Sequence, residues 1–90
     1  MGSHYRPNPD AMAQRVGDEV VLVHLKTDRI FALNQTGARI WELLSENLDA
    51  YQIQETLLRE FEVDESQLKQ EIYQLIESLY EQDLLVVSPQ

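Results

Sequence analysis

Residues 29–44 read RIFALNQTGARIWELL, and the spacing of the apolar side chains changes within this stretch. Up to Leu33 the residues follow the two-residue period of a strand. Beyond Leu33 the apolar residues recur at helical spacing, and either Asn34 or Thr36 stands where it could cap the first turn of a helix. We therefore expect a strand that ends at Leu33, followed by a first helix that runs to about Glu46.

Upstream of this stretch, two further short segments have the composition of strands. Gly17-Asp18 and Thr27-Asp28 interrupt the apolar sequence, and connections this short place successive strands side by side in a sheet. The sequence thus predicts a three-stranded antiparallel meander in which the third strand is an edge. The predicted strands are Met12 to Val16, Glu19 to Leu25 and Arg29 to Leu33.

Downstream, two pairs of residues mark the starts of a second and a third helix. Asp49 with Gln52, and Asp64 with Gln67, have the spacing of capping boxes. The third helix is expected to extend to about Gln82, and a brief strand at residues 84–87 could follow it. Apolar residues at helical spacing predict one buried stripe on this helix, with a more mixed stripe beside it. The main stripe is Leu68, Ile72, Leu75 and Leu79, and the mixed stripe is Lys69, Tyr73, Ile76 and Tyr80.

The order of these elements predicts a single α+β domain. Ninety residues leave room for one core, and the domain is expected over residues 12–87. Residues 5–11 contain two prolines and no periodicity, so we expect an extended arm, and residues 1–4 resemble the remnant of an expression tag. The sequence has no cysteine and no apolar run long enough to span a bilayer, which fits a cytoplasmic location.

The charge balance argues against two classes of partner. Sixteen acidic residues against seven basic ones give a formal net charge of −9. Such a field repels a phosphate backbone, and no cluster of Lys or Arg is present to bind an anionic membrane surface. We therefore expect neither nucleic acid nor a membrane as a partner.

The sequence lacks the residue patterns that catalysis or metal binding requires. His24 lies in mid-strand with no second histidine or cysteine to share a metal, apart from His4 in the tag-like segment. The glutamates of the second and third helices are expected to form a solvated face rather than an acid–base pair. Gly17 and Gly37 are isolated and form no phosphate-binding loop. We expect no catalytic residue, no metal and no cofactor, and an enzyme is the least favoured class.

The predicted edge strand offers a surface for binding. Its unpaired N–H and C=O groups could accept an extended peptide as a fourth strand, and Arg29 is its only charged residue. Two other interpretations stay open: a loop or a second copy covers the edge, and Tyr73, Ile76 and Tyr80 belong to a broad core face. A dimerisation module that pairs this edge with itself is an alternative function.

Three short sequence motifs resemble those of the PqqD family of precursor-peptide recognition elements. They are FALNQTGA at residues 31–38, IWELL at residues 40–44 and FEVD at residues 61–64. The resemblance extends from about Arg15 to Val86 and implies a winged helix-turn-helix. Family members commonly end the third helix with Gly-Leu-Leu, whereas this sequence has Asp83 in place of the glycine, so we expect the turn with a different cap.

In this family a leader peptide pairs with the third strand and lies in the groove against the third helix. Carried over, the resemblance implies a peptide-binding site at Arg29, Ile30, Phe31, Ala32, Leu33, Leu68, Lys69, Ile72, Tyr73, Ile76 and Tyr80. The chain looks most like the stand-alone recognition subunit of lasso-peptide biosynthesis, which implies a precursor leader peptide, a leader peptidase of the cysteine-protease class and a macrocyclase as partners. A peptide chaperone for a radical-SAM maturation pathway is the nearest alternative. A DNA-binding winged helix is disfavoured by the acidic charge.

Overall fold

The computed structural model describes residues 4–88 as five strands and three helices. The elements are β1 (His4–Pro7), β2 (Ala11–Val16), β3 (Glu19–His24), β4 (Ile30–Leu33), α1 (Gln35–Ser45), α2 (Ala50–Glu60), α3 (Glu65–Glu81) and β5 (Leu85–Ser88). The three predicted strands of the meander are β2, β3 and β4. The α+β fold, a three-stranded antiparallel sheet followed by the three helices of a winged helix-turn-helix, is therefore confirmed.

The main sheet has the strand order β2-β3-β4, so β4 is an edge strand within the described residues. Its register places Ile30 opposite Val23 and Ala32 opposite Val21. Because side chains alternate along a strand, one face of the sheet points to the helices and the other to solvent. On β4, Leu33 is buried, whereas Ile30 on the outer face is 70% exposed.

The arm expected at residues 5–11 is extended, but part of it belongs to a second, two-stranded sheet. β1 pairs antiparallel with β5, with Tyr5 opposite Val87. Beyond β1, the buried side chain of Asn8 donates from Nδ2 to the carbonyl oxygen of Asp83 at 2.8 Å. The sequence pattern missed this sheet because its two strands come from opposite ends of the chain. Residues 1–3 of the predicted tag lie outside the described residues, and His4 is the first residue of β1.

Each helix begins at a side-chain cap. Asn34, rather than Thr36, caps α1 by accepting from the N–H of Gly37 at 2.8 Å. Asp49 forms the predicted capping box with Gln52, and Asp64 caps α3. Such caps typically contribute about 1 kcal/mol each. Within residues 4–88, no helix is long and apolar enough to cross a membrane.

A single core joins the main sheet to all three helices. The buried stripe predicted on α3 is largely confirmed, although Leu75 is only partly buried at the rim of the core. Burial of each large apolar side chain stabilises the fold by roughly 1.5–3 kcal/mol relative to exposure. The fully buried apolar side chains are Leu22, Ile40, Leu44, Ile53, Leu57, Leu68, Ile72, Leu79, Leu84 and Leu85.

Candidate functional site

The outer edge of β4 presents unpaired backbone groups. The N–H of His24 donates to the carbonyl oxygen of Arg29 at 2.9 Å, so these opposed residues form a hydrogen-bonded pair. Hydrogen-bonded and non-bonded pairs alternate in an antiparallel ladder. Phe31 and Leu33 therefore direct their backbone groups to β3, whereas Ile30 and Ala32 direct theirs away from it. Within the described residues no strand lies beyond β4, so an added strand could pair with these two residues.

A groove of about 360 Å³ lies beside this edge, between β4, the start of α1 and one face of α3. Phe31 and Leu75 supply its exposed apolar surface, since Leu33 and Ile40, which also line it, are only 2% and 1% exposed. Because Phe31 and Leu75 are only partly buried, they offer apolar surface to a ligand as well as to the core. The residues that line the groove are Phe31, Ala32, Leu33, Asn34, Thr36, Gly37, Ile40, Glu71, Gln74, Leu75 and Ser78.

The β4 edge is tied to α3 by a polar contact between exposed side chains. Nη1 of Arg29, just before β4, donates to Oε1 of Gln82, just after α3, at 2.9 Å. The carboxylate of Glu71 lines the groove more than two helical turns earlier in α3. A ligand that follows β4 would thus meet one cationic and one anionic group with apolar surface between them.

The structure separates the site residues expected from the resemblance into three groups. Arg29 to Leu33 form the edge strand and the residue before it, as expected. Leu68 and Ile72 are buried in the core, at 2% and 1% exposure, and cannot contact a ligand without repacking. The remaining residues, Lys69, Tyr73, Ile76 and Tyr80, are absent from the lining of the groove beside β4.

Tyr73, Ile76 and Tyr80 instead lie on the opposite flank of α3 from β4. There they line a second groove of about 520 Å³ together with Tyr5 of β1. The rings of Tyr5 and Tyr80 pack edge to face, with centroids 5.9 Å apart. The expectation that these α3 residues face the third strand of the meander is thus corrected. The cause is helical geometry, because at 100° per residue Tyr73 points about 160° away from Leu75.

The α3 residues that do face β4 were not selected from the sequence. Glu71, Leu75 and Ser78 recur at i, i+4 and i+7, a line directly beside the fully buried stripe. Two of the three are polar, so a search for apolar periodicity passes over them. The sequence did contain one signal for these residues. Leu75 lies at the margin of the buried stripe, and this position indicates the flank of α3 that borders the groove.

His24 is a buried structural residue whose ring nitrogens are both occupied. Nδ1 lies 3.2 Å from the N–H nitrogen of Lys26, and Nε2 lies 3.1 Å from Oδ2 of Asp83. The ring is thus committed to hydrogen bonds within the fold. In the part of the chain that the structure describes, no group of three or more His, Asp or Glu side chains could hold a metal ion.

Comparisons with known proteins give a family from one source and a fold from another. Residues 19–85 match the family described as coenzyme PQQ synthesis protein D, PqqD. A solved structure of TbiB1 in complex with the TbiA(beta) leader peptide is 30% identical, with a TM-score of 0.82 over 89% of this chain and 93% of that chain. A lasso peptide synthetase B1 complexed with the leader peptide is 23% identical, with a TM-score of 0.83 over 92% of this chain and 98% of that chain, a likeness of fold alone. No curated protein sequence gives a match.

Proposed function

Because the chain belongs to the PqqD family, as its match over residues 19–85 shows, we propose that it binds the leader segment of a ribosomally made precursor peptide. The observation that carries the proposal is the unpaired edge of β4 beside a partly apolar groove. The solved structure of a protein that is 30% identical and has the same fold contains a leader peptide, which supports the assignment.

The leader adds to the sheet as a further strand. Backbone pairing with Ile30 and Ala32 sets the register, and alternate leader side chains then point into the groove. Apolar leader side chains pack against Phe31 and Leu75. Each such side chain that becomes buried contributes roughly 1.5–3 kcal/mol before the cost of ordering the peptide is subtracted. This site keeps Arg29 to Leu33 from the sequence-based expectation and replaces its α3 residues with Glu71, Gln74, Leu75 and Ser78.

The chain presents the precursor and does not itself break or form bonds in it. The partners are the enzymes that process the bound precursor: a leader peptidase of the cysteine-protease class and a macrocyclase. When this chain is associated with such an enzyme, its hold on the leader turns the encounter of enzyme and precursor into an intramolecular event. The effective concentration of the precursor at the enzyme rises without any catalytic group on this chain.

The pathway proposed is lasso-peptide maturation. It is supported by the names of the two structurally similar proteins, both of which are B1 proteins bound to leader peptides. The genes beside the one for this chain test the pathway. A short precursor gene next to a leader peptidase and an asparagine-synthetase-like cyclase is the expected arrangement. A radical-SAM enzyme in place of the cyclase would move the chain to the alternative pathway without changing the binding mode.

Titration with the cognate leader peptide, followed by NMR, tests the binding mode. Backbone amide signals of residues 29–33 and of Leu75 should shift on binding, and those of Ile30 and Ala32 should become protected from hydrogen exchange. A scrambled leader of the same composition is the control. If the cognate leader leaves the signals of residues 29–33 unmoved, the proposal fails.

A DNA duplex serves as a second control in the same experiment. The helix that a DNA-binding winged helix would place in the major groove, α3, carries four glutamates and one lysine. Phosphate oxygens are repelled by such a helix, so we expect no shift on addition of DNA at low salt.

A further inference from the structure

All four tyrosines of the chain gather on one surface, on the side of α3 that faces away from β4. Tyr73 and Tyr80 of α3 and Tyr5 of β1 line one part of it, and Tyr51 of α2 lines an adjoining part with Tyr5 and Tyr73. We call this surface the tyrosine groove. Tyr73 and Tyr80 are each 52% exposed and Tyr51 is 65% exposed, so the rings are open to a partner.

The composition of the tyrosine groove is typical of a protein–protein interface. Tyrosine combines a large apolar ring with a hydrogen-bonding hydroxyl and loses little side-chain entropy on binding, and it is enriched among residues that dominate interface affinity. Tyr73 and Tyr80 are each about half exposed, so burial in the core does not account for their size.

The charged residues that line the tyrosine groove are acidic. Asp49 and Glu77 line it, and none of the described residues that line it is Lys or Arg. At its α2 end, the negative charge of Glu55, which also hydrogen-bonds to the Tyr51 hydroxyl, and to a smaller extent that of Glu65 raise the pKa of Tyr51. A ligand with Lys or Arg at its rim therefore complements this surface. A second copy of the chain does not, because it carries the same net charge of −9.

Gln74 separates the tyrosine groove from the groove beside β4, since its side chain lines both. The two grooves therefore lie on the two flanks of one helix. A peptide bound along β4 leaves the tyrosine groove accessible, so both surfaces can be occupied at once.

We propose that the tyrosine groove is the docking surface for the leader peptidase, which contacts it through an apolar patch rimmed by Lys and Arg. The inference rests on the proposed function, because it assigns the enzyme to one flank of α3 and the leader to the other. The chain then acts as a two-sided adaptor whose central helix holds substrate and enzyme together.

Binding measurements with the purified leader peptidase of the same pathway test the assignment. Tyr73→Glu places a charge in the centre of the groove and should weaken peptidase binding by about tenfold or more. Glu77→Lys should weaken it several-fold at low salt, and the difference from wild type should shrink as salt is added. The matched control is Met12→Glu, which places the same charge on an exposed apolar residue of the outer sheet face.

The affinity for the leader peptide is measured in parallel for every variant and should stay within about twofold of wild type. Circular dichroism verifies that each variant is folded. Tyr51→Glu, at a more exposed ring, replaces Tyr73→Glu if the latter does not fold.

Several results would overturn the inference. One is a folded Tyr73→Glu or Tyr51→Glu variant that binds the peptidase as tightly as the wild-type chain does. A second is a parallel loss of leader affinity in these variants, which would make the groove part of the leader site. A third is a wild-type dimer in sedimentation that Tyr73→Glu dissociates, which would assign the groove to a second copy. Failure of the wild-type chain to bind the leader at all would instead refute the proposed function.

Discussion

His24 and Asp83 are hydrogen-bonded across 59 residues of sequence, with Nε2 of the buried ring 3.1 Å from Oδ2 of the carboxylate. On the other side of the ring, Nδ1 accepts from the backbone N–H groups of Lys26 and Thr27, at 3.2 and 3.3 Å. Because Nδ1 is an acceptor, Nε2 carries the proton and donates it to Asp83. The pair therefore joins the turn before β4 to the turn after α3. The proposed leader site lies between β4 and α3.

Asp83→Ala is expected to destabilise the fold by about 1–2 kcal/mol, because the buried N–H of His24 loses its acceptor. Asp83 also has φ 62°, a left-handed conformation that Asp and Asn adopt more readily than Ala. Asp83→Asn keeps both the acceptor oxygen and this tolerance, so it should remain within about 0.5 kcal/mol of wild type. Urea unfolding at pH 7 measures all three proteins. Equal stability of the Ala and Asn variants would contradict the structural role assigned to the pair.

Ala32→Pro should weaken leader binding by about tenfold or more, because proline removes an outward N–H of β4 that an added strand needs. The same N–H makes no bond to β3, so the main sheet keeps its ladder. The alternation of backbone directions places Ala13 of β2 in the equivalent outward position on the opposite edge of the sheet. Ala13→Pro is therefore a matched control. Calorimetry with the cognate leader should show a loss of affinity for Ala32→Pro but not for Ala13→Pro.

The two proline variants also identify which edge of the sheet binds the leader. A loss of leader affinity confined to Ala13→Pro would place the leader on β2 and refute the proposed site. Ala32→Gly, which keeps the N–H, should bind within about threefold of wild type, a difference of roughly 0.7 kcal/mol.

Leu75→Ala should reduce leader affinity by roughly tenfold, because it removes apolar surface from the wall of the groove. Leu58 of α2 is the matched control: it is likewise a partly buried leucine packed on the core, but it does not line the groove. Both substitutions should lower stability, whereas only Leu75→Ala should change the dissociation constant for the leader measured by fluorescence anisotropy. Equal affinities of the two variants would argue against contact between the leader and α3.

Glu60→Gln should make the free energy of unfolding less sensitive to pH in the acid range. Arg39 of α1 donates to both carboxylate oxygens of Glu60 at the end of α2, at 2.9 and 2.6 Å, and holds the pKa of Glu60 below its usual 4.5. The pair therefore stabilises the fold fully above pH 4.5, and its contribution is lost as the pH falls through the lowered pKa. Because both side chains are about one-third exposed, we expect only about 0.5–1 kcal/mol at pH 7.

Urea unfolding of wild type and Glu60→Gln between pH 7 and pH 2 measures this contribution. The difference between the two proteins should be present at neutral pH and disappear in acid. Glu62→Gln, at an exposed position with no salt bridge among the described residues, is the control and should follow wild type throughout. A difference for Glu60→Gln that persists at pH 2 would show that packing, not charge, is responsible.

The sequence predicted most of the fold because its signals are local. The change of period at Leu33 and the helix caps at Asp49 and Asp64 each depend on a few neighbouring residues, and they are confirmed, although only Asp49 forms the full capping box. The pairing of β1 with β5 could not be predicted this way, since two four-residue strands from opposite ends of the chain carry no shared local pattern.

Of the residues around the groove beside β4, the sequence predicted those on the strand side. The edge position of β4 follows from the short connections of the meander, so Arg29 to Leu33 were identified correctly as the open margin. On α3 the expectation selected Tyr73 and Tyr80, which are more conspicuous in the sequence than Glu71 and Ser78 but line the groove on the other flank of the helix. Periodicity identifies residues that share a face but not which neighbour that face meets, and the direction in which α3 crosses the sheet decides that.

The two-stranded sheet of β1 and β5 sets His4 directly opposite Ser88. Both outer ends of the described polypeptide therefore leave the domain at one spot, a few ångströms apart. A domain with adjacent ends can be inserted into a surface loop of an unrelated protein through two short linkers, without distortion of its own fold. Insertion of this kind could give another enzyme a binding site for substrates that carry the leader.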